Sequence, residues 1–271
     1  MDEEIKTANP LGYKKISKLL RSLAIPAIIA NLVNALYNVV DQIFIGQGIG
    51  YLGNATTNIA FPITTICLAI GLTLGIGGAS NFNLELGRGN PEKSKHTAGT
   101  AASTLIIIGI ILCITIRIFL EPLMISFGAT DKILQYSMEY TGITSYGIPF
   151  LLFSIGVNPL VRADGNARYS MMAIIVGAVL NTILDPLFMF VFHWGIAGAA
   201  WATVISQVVS ASLLLIYFPR FKSVKFSLND FIPQIHYLKR IISLGFASFI
   251  YQFSNMIVLV TTNNLLKFYG A

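Results

Sequence analysis

Long apolar stretches dominate the chain, and short polar segments separate them. Seven stretches are each long enough to cross a bilayer as a helix, which takes about 20 residues; they cover approximately 19–46, 58–83, 97–120, 134–161, 168–192, 196–218 and 239–269. Backbone groups within lipid must form their hydrogen bonds inside the same segment, so continuous runs of this kind are predicted to be helices. The pattern therefore predicts an all-α polytopic membrane protein.

Composition strengthens this prediction. Of the 271 residues, 55% are hydrophobic and 11% are charged, whereas an average soluble domain is about one-quarter charged. A soluble globule of this size would lack the polar surface needed to cover so much apolar material. A soluble enzyme, a disordered chain and a disulfide-stabilised secreted domain are therefore poor interpretations. Cys67 and Cys113 both lie inside predicted spans, which favours packing roles over a disulfide or a metal pair.

Lys and Arg residues are unevenly distributed between the loops. If the N-terminus is cytoplasmic, 15 of the 18 basic residues fall on the cytoplasmic side, and only Arg117, Lys132 and Lys267 fall outside. Positive residues accumulate on the cytoplasmic side of membrane proteins, so this distribution predicts a cytoplasmic N-terminus. The net charge of +6 is then a topology signal. Because the basic residues are spread over separate loops, nucleic acid is not an expected partner.

The seventh stretch repeats features of the first. At a constant offset of 221 residues, six residue types recur: Lys18, Ser22, Leu23, Ile29, Asn34 and Val39 match Lys239, Ser243, Leu244, Ile250, Asn255 and Val260. The two copies share one orientation, as in parallel repeats related by an axis along the membrane normal. We therefore expect a fragment with four parts: a cytoplasmic N-terminus (1–18), a six-helix N-lobe (19–218), a cytoplasmic inter-lobe loop (219–238) and the first helix of a truncated C-lobe (239–271).

Two acidic residues lie well inside predicted spans, Asp41 in the first and Asp185 in the fifth. At 1.5 Å of rise per residue, both lie roughly 8–10 Å below the outer boundary. Their two helices ascend together, so the carboxylates are predicted to share one level. Ionisable groups are costly inside a membrane and commonly mark functional sites. The alternative is that each carboxylate is a structural group that bonds neighbouring helices.

Polar neighbours surround both carboxylates in the predicted helices. Asn181 precedes Asp185 by one turn, and Thr203 lies at a similar depth in the sixth span. Tyr37 and Asn34 lie one and two turns before Asp41 on the same helical face. Oxygen-rich groups of this kind suit a hard cation such as Na⁺, and two adjacent carboxylates also favour binding of a proton. We expect no cofactor beyond the Na⁺ or proton bound at this cluster.

Several motifs resemble the N-terminal lobe of the MATE (multidrug and toxic compound extrusion) family of antiporters, nearest the DinF-like and MepA-type branch. The motifs are Leu23-Ala-Ile-Pro26, Tyr37-Asn-Val-Val-Asp41, the segment from Leu160 to Met171, Asn181-Thr-Ile-Leu-Asp185-Pro186 and the segment from Gly195 to Thr203. The resemblance extends over residues 18–271. It implies two six-helix lobes with alternating access in a bacterial plasma membrane. It also implies efflux of cationic or amphipathic drugs, driven by inward Na⁺ or H⁺, by a monomer.

The resemblance also implies roles for particular residues. The N-lobe ion site would use Asp41, Asn181, Asp185 and Thr203; Tyr37, Tyr140 and Asn158 match further polar positions, and Pro26 matches the proline where the first helix is proposed to bend. The expected partners are drug molecules, the lipid bilayer and the missing C-lobe. In the repeat register Thr262 takes the place of Asp41, so coupling is expected to depend on the N-lobe. The fragment alone is expected not to transport.

Three alternative functions remain open at this stage. A lipid-linked oligosaccharide flippase of the same superfamily would use a cavity lined with basic residues, whereas the basic residues here lie in loops. An intramembrane aspartyl protease would use two membrane carboxylates as an acid–base pair, but the Gly-x-Gly-Asp context of such enzymes is missing, so we do not expect an enzyme. The third alternative is a membrane receptor that binds a ligand without transporting it.

Overall fold

Seven helical segments of the computed structural model, which describes residues 15–268, are long and apolar enough to span a membrane. This confirms the predicted all-α polytopic fold. The helices are α1 (Ile16–Ile49), α2 (Tyr51–Gly87), α3 (Pro91–Ile118), α4 (Leu120–Ser126), α5 (Asp131–Thr144), α6 (Ile148–Ala163), α7 (Ala167–Pro186), α8 (Gly195–Tyr217) and α9 (Ile235–Phe268). α5 and α6 together form the fourth span, and the short α4 follows the third. Residues 1–14 and 269–271, which belong to the predicted first and last parts of the chain, lie outside the described residues.

The first two spans are longer than the apolar pattern predicts, and only Gly50 separates them. Gly50 has a φ of +78°, a left-handed conformation that glycine adopts without strain. Helix α2 begins at Tyr51, seven residues before the predicted start. Its first turns are polar enough to end an apolar run, yet Gly53 packs directly against Ile45 of α1. Packing between the helices therefore extends both spans beyond the apolar stretches.

Two proline residues interrupt the fourth and fifth spans. Pro149 has no N–H to bond the carbonyl of Ser145; the N–H of Ile148 bonds that carbonyl instead, which closes a 3₁₀ turn at Ser145–Gly147. Pro186 ends α7, and a π-helical turn follows it over Leu187–Val191. Turns of this type are frequent at functional sites, and this one begins two residues after Asp185.

Helix α2 lies at the centre of the bundle. Of the 18 residues that form its apolar stretch, 61% are buried, whereas only 11% are buried in the equivalent stretches of α1 and α9. It packs against α3, α6 and α9 around a core that includes the fully buried side chains of Phe82, Leu105, Leu152 and Leu160. The bundle therefore has a well-packed centre, and α1 and α9 expose apolar faces at its periphery.

The loop between α8 and α9 folds back onto the bundle. It contains two 3₁₀ turns, Phe218–Arg220 and Leu228–Phe231, and a cluster of four phenylalanine rings whose neighbours lie 5.0–5.6 Å apart: Phe218, Phe221, Phe226 and Phe231. The fully buried carboxylate of Asp164 accepts hydrogen bonds from the backbone N–H groups of Lys222 and Ser223. The predicted loop is thus an ordered connection that fixes the approach of α9.

Candidate ion site

Asp41 of α1 and Asp185 of α7 meet inside the bundle. Their carboxyl groups lie within hydrogen-bonding range of each other. Asp185 is fully buried and Asp41 is 9% exposed. Two carboxylates this close in an apolar interior repel each other unless a cation or a shared proton lies between them. The pair is therefore suited to binding a positive charge.

Asn181 connects Asp185 to α8. With its amide oriented so that both polar atoms have partners, its nitrogen donates to Asp185 Oδ2 at 2.9 Å and its oxygen accepts from the backbone N–H of Thr203 at 3.3 Å. The hydroxyl of Tyr140, from α5, lies close enough to the Thr203 side chain to interact with it. Tyr37 lies close enough to Asp41 and Asp185 to interact electrostatically with both. Four helices therefore contribute to one polar cluster.

The local sequence explains how the helices bring these groups together. Asn181 and Asp185, like Tyr37 and Asp41, are four residues apart, so each pair shares one helical face. Helices α7 and α8 approach closely because Gly177 leaves room for the Ser210 side chain, which a Cβ at position 177 would overlap. This close contact lets the Asn181 side chain reach the backbone of Thr203.

The structure does not bring three predicted residues into this cluster. Asn158 pairs with Ser170: its Nδ2 donates to the Ser170 carbonyl at 3.1 Å, and Ser170 Oγ donates to its Oδ1 at 2.7 Å. Ser170 precedes Asp185 by 15 residues on α7, which is about 22 Å along the helix. Asn34 is exposed on α1. Pro26 is buried within α1, which continues through it as one helix from Ile16 to Ile49.

Two further residues, Gln42 and Thr57, support Asp41. Gln42 Nε2 donates to Asp41 Oδ2 at 3.4 Å, and the hydroxyl of Thr57, on α2, donates to Gln42 Oε1 at 3.0 Å. Asp41 Oδ1 is buried and accepts no hydrogen bond from any residue in 15–268. The sequence signal for Gln42 was its position next to an intramembrane carboxylate, within an otherwise apolar segment.

The donor set determines which ions fit. The carboxylate oxygens of Asp41 and Asp185 meet beside the side chains of Asn181 and Thr203, and carboxylate and hydroxyl oxygens are ligands preferred by hard cations. In the part of the chain that the structure describes, no group of three or more His, Cys, Asp or Glu side chains could hold a metal ion. Oxygen donors of this kind suit a proton or a hard cation better than a soft transition metal.

Comparisons with known proteins give one consistent result. The MatE family model matches residues 26–187. The multidrug export protein MepA of Staphylococcus haemolyticus (strain JCSC1435) is 25% identical over 255 residues, which cover 92% of this chain and 54% of MepA. MepA of Staphylococcus aureus (strain NCTC 8325 / PS 47) is also 25% identical, over 94% of this chain and 57% of its own length. The chain thus spans about half the length of the curated relatives it matches.

Solved structures agree with the sequence comparisons. This chain is 36% identical in sequence to the MATE multidrug transporter DinF-BH, whose structure was solved as a complex. The two structures superpose with a TM-score of 0.90, over 97% of this chain and 59% of DinF-BH. An outward-facing conformation of a multidrug resistance MATE family transporter of the MOP superfamily is 30% identical, with a TM-score of 0.81 over 88% of this chain and 53% of that chain. The expected MATE resemblance is confirmed.

Proposed function

Because this chain belongs to the MATE family of multidrug efflux transporters, which are multi-pass membrane proteins and not enzymes, we propose that it supplies the ion-coupling half of a drug antiporter. The proposed activity is export of cationic or amphipathic drugs in exchange for inward Na⁺ or H⁺. MepA is named a multidrug export protein, and DinF-BH is described as a MATE multidrug transporter. The substrate class and the coupling ion are transferred from the family resemblance.

The observation that carries this proposal is the pairing of Asp41 with Asp185. Their carboxyl groups meet within hydrogen-bonding range, in a bundle whose helices are apolar enough to span a membrane. Such a pair is expensive to maintain in lipid unless it binds a charge. Asn181 joins Asp185 to α8: its amide nitrogen donates to the carboxylate and its oxygen accepts from the backbone of Thr203, so the amide holds Asp185 in place beside Asp41.

In the proposed mechanism, occupancy of the pair controls how α1 packs against α7 and α8. A proton or Na⁺ between Asp41 and Asp185 removes their repulsion and draws the two helices together. Loss of the ion leaves two negatively charged carboxylates. Their charge attracts a cationic drug, and their mutual repulsion favours a different packing of α1. A ligand can shift such an equilibrium only by binding the two states differently. We further propose that the N-terminus is cytoplasmic, which places the pair in the outer half of the membrane.

The proposal is tested by ethidium efflux from cells that produce a two-lobe transporter containing this sequence as its first half. The Asp41→Asn variant should lose efflux driven by a Na⁺ gradient or a pH gradient, because one member of the pair no longer carries charge. Asp131→Asn, which changes an exposed acid at the start of α5, is the matched control and should retain efflux. Undiminished ion-driven efflux by Asp41→Asn at equal expression would refute the proposal.

A further inference from the structure

A small polar cavity, here called the side chamber, lies between α2, α5, α6 and α8. Its volume is about 50 Å³, and its polar lining includes Thr64, Tyr140, Thr141, Thr144, Ser145, Thr203 and Gln207. A buried water requires roughly 10–15 Å³ of such space and two to four polar partners. The side chamber therefore has both the room and the polar lining for a few water molecules, but it is too small for a drug.

One wall of the side chamber is part of the ion site. Tyr140 and Thr203 both line the chamber, and their side chains lie close enough to interact. Thr203 also bonds Asn181, which contacts Asp185. Two hydrogen-bonded steps therefore separate the chamber wall from a carboxylate of the ion site.

Gln207 lines the side chamber one helical turn after Thr203 on α8. Its Oε1 is buried and has no hydrogen-bond partner among residues 15–268. This oxygen lies against Gly147, where a Cβ would overlap it. Glycine in the 3₁₀ turn thus leaves space for the amide. A buried carbonyl without a partner costs about 1–3 kcal/mol, and in a polar cavity ordered water is the usual partner.

Further unpaired hydroxyls extend this polar wall along two helices. Ser137 lies one helical turn before Thr141 on α5, and Thr56 lies one turn before Ala60 on α2. Both hydroxyls are buried, and neither finds a hydrogen-bond partner within the described part of the chain. Ala60 and Thr141 themselves line the side chamber. Buried polar groups that lack a partner, and that water could satisfy, therefore extend from the chamber toward the N-terminal ends of α2 and α5.

Charges on either side of the chamber have opposite signs. Arg117 Nη1 lies 3.4 Å from the hydroxyl of Ser145, a lining residue, and its guanidinium sits 4.2 Å from the ring centroid of Tyr146. The carboxylates of Asp41 and Asp185 lie beyond the Tyr140–Thr203 wall. A cation inside the chamber is thus repelled from the Ser145 side and attracted to the ion site.

We propose that the side chamber is water-filled and is the compartment through which the coupling cation, H⁺ or Na⁺, reaches Asp41 and Asp185. Gln207 is a positioning residue in this proposal: it holds the chamber's water and does not contact the bound ion. That this cation is the coupling ion rests on the proposed function.

Cys67 provides a reporter for cation entry. Its side chain lines the side chamber and is fully buried, so in the folded chain the chamber gives a reagent space next to this thiol. In a Cys113→Ser background it is the only thiol in the chain. We would expose the chain, in lipid nanodiscs, to Ag⁺, a monovalent cation close to Na⁺ in size. Mass spectrometry of the remaining free thiol would then measure the rate of reaction at Cys67.

Cys67 is expected to react with Ag⁺ in the folded chain, and Gln207→Leu should slow the reaction at least fivefold by removing the chamber's polar amide. Thr144→Val, which replaces a lining hydroxyl with a methyl group, should slow it in the same direction. Gln135→Leu makes the same change as Gln207→Leu at an exposed site on α5 and should leave the rate unchanged. A thiol that reacts only after denaturation, or equal rates in all variants, would overturn the proposal.

The outcome of this experiment is independent of the proposed function. Ag⁺ labelling requires no transport, so an unreactive Cys67 rejects the side chamber as an entry route and leaves the Asp41–Asp185 pair as the coupling site. Conversely, ion-driven efflux by Asp41→Asn rejects the coupling site even if Cys67 reacts with Ag⁺ as expected.

Discussion

Gly77 of α2 and Gly245 of α9 lie where the two helices cross with no room for a side chain at either position. A Cβ at Gly77 would lie 2.9 Å from the backbone nitrogen of Gly245 and would overlap the carbonyl of Ile241. A Cβ at Gly245 would overlap the carbonyl of Thr73. Helices in membranes approach this closely where small residues meet. The crossing therefore holds α9, the predicted start of a second repeat, against the centre of the bundle.

Gly77→Ala is predicted to weaken this crossing. The added methyl group must displace the backbone of α9, and overpacking of this kind costs about 1–3 kcal/mol. The free energy of unfolding in a titration with SDS measures the effect. Gly87→Ala is the control, because a Cβ at Gly87 meets nothing within 4 Å. Equal stability of the two variants would show that α9 can move away without cost.

Asp41→Asn is predicted to abolish ion-dependent stabilisation of this chain. A ligand present at 100 times its dissociation constant stabilises the folded state by about 2.7 kcal/mol, so an occupied site should raise the melting temperature. The measurement compares NaCl with an organic-cation chloride at constant ionic strength, and then acidic with neutral buffer. Asp131→Asn should keep the wild-type response. A response to ions in Asp41→Asn equal to that of wild type would contradict the assignment of the pair.

The apolar pattern predicts the seven spans well because a helix in lipid must be continuously apolar over its central turns. It predicts helix ends poorly, since a segment buried against protein has no need to be apolar. The start of α2 illustrates this: Gly53 and Asn54 interrupt the apolar run, but Gly53 packs on Ile45 and Asn54 on Gly46 of α1. The 3₁₀ turn at Ser145–Gly147 also divides a stretch that hydropathy reads as one helix.

The carboxylates of the proposed ion site could be predicted because an acidic residue inside a span is rare and costly. Neutral polar residues carry a weaker signal, since an amide in a span has many uses. Gln42 supports Asp41, whereas Asn158 bonds Ser170 about 22 Å along α7 from Asp185. Gln207 lines the side chamber and lies against Gly147, 60 residues earlier in the chain, and such a contact is not visible in the sequence.

Glu85→Gln is predicted to loosen the attachment of α9 at the end of α2. The Glu85 side chain is 3% exposed and pairs with Arg88 at 2.9 Å and with Arg240 of α9 at 3.0 Å. Hydrogen bonds to charged groups contribute about 1.5–3 kcal/mol, so the free energy of unfolding should fall by an amount in that range. Glu92→Gln removes a pair with Lys95 in which the glutamate is 74% exposed, and should cost below about 1 kcal/mol. Equal losses would show that burial of Glu85 has no effect.

Asp164→Asn is predicted to release the loop between α8 and α9. The buried Asp164 carboxylate accepts from the Lys222 and Ser223 N–H groups, each at 2.9 Å, and from the Tyr217 hydroxyl at 2.8 Å. An amide nitrogen in place of one oxygen would face donors and could accept from none of them. A loss of about 1.5–3 kcal/mol follows, which corresponds to roughly 10- to 100-fold more of the open loop.

Limited trypsin digestion reports this opening, because Lys222 and Lys225 are cleavage sites inside the anchored segment. Cleavage there should be at least 10-fold faster in Asp164→Asn, while cleavage at the exposed Lys132 should be unchanged. Tyr217→Phe removes only one of the bonds to Asp164 and should give a smaller increase. If Asp164→Asn leaves cleavage at Lys222 and Lys225 at the wild-type rate, the phenylalanine cluster alone holds the loop and the carboxylate is not its anchor.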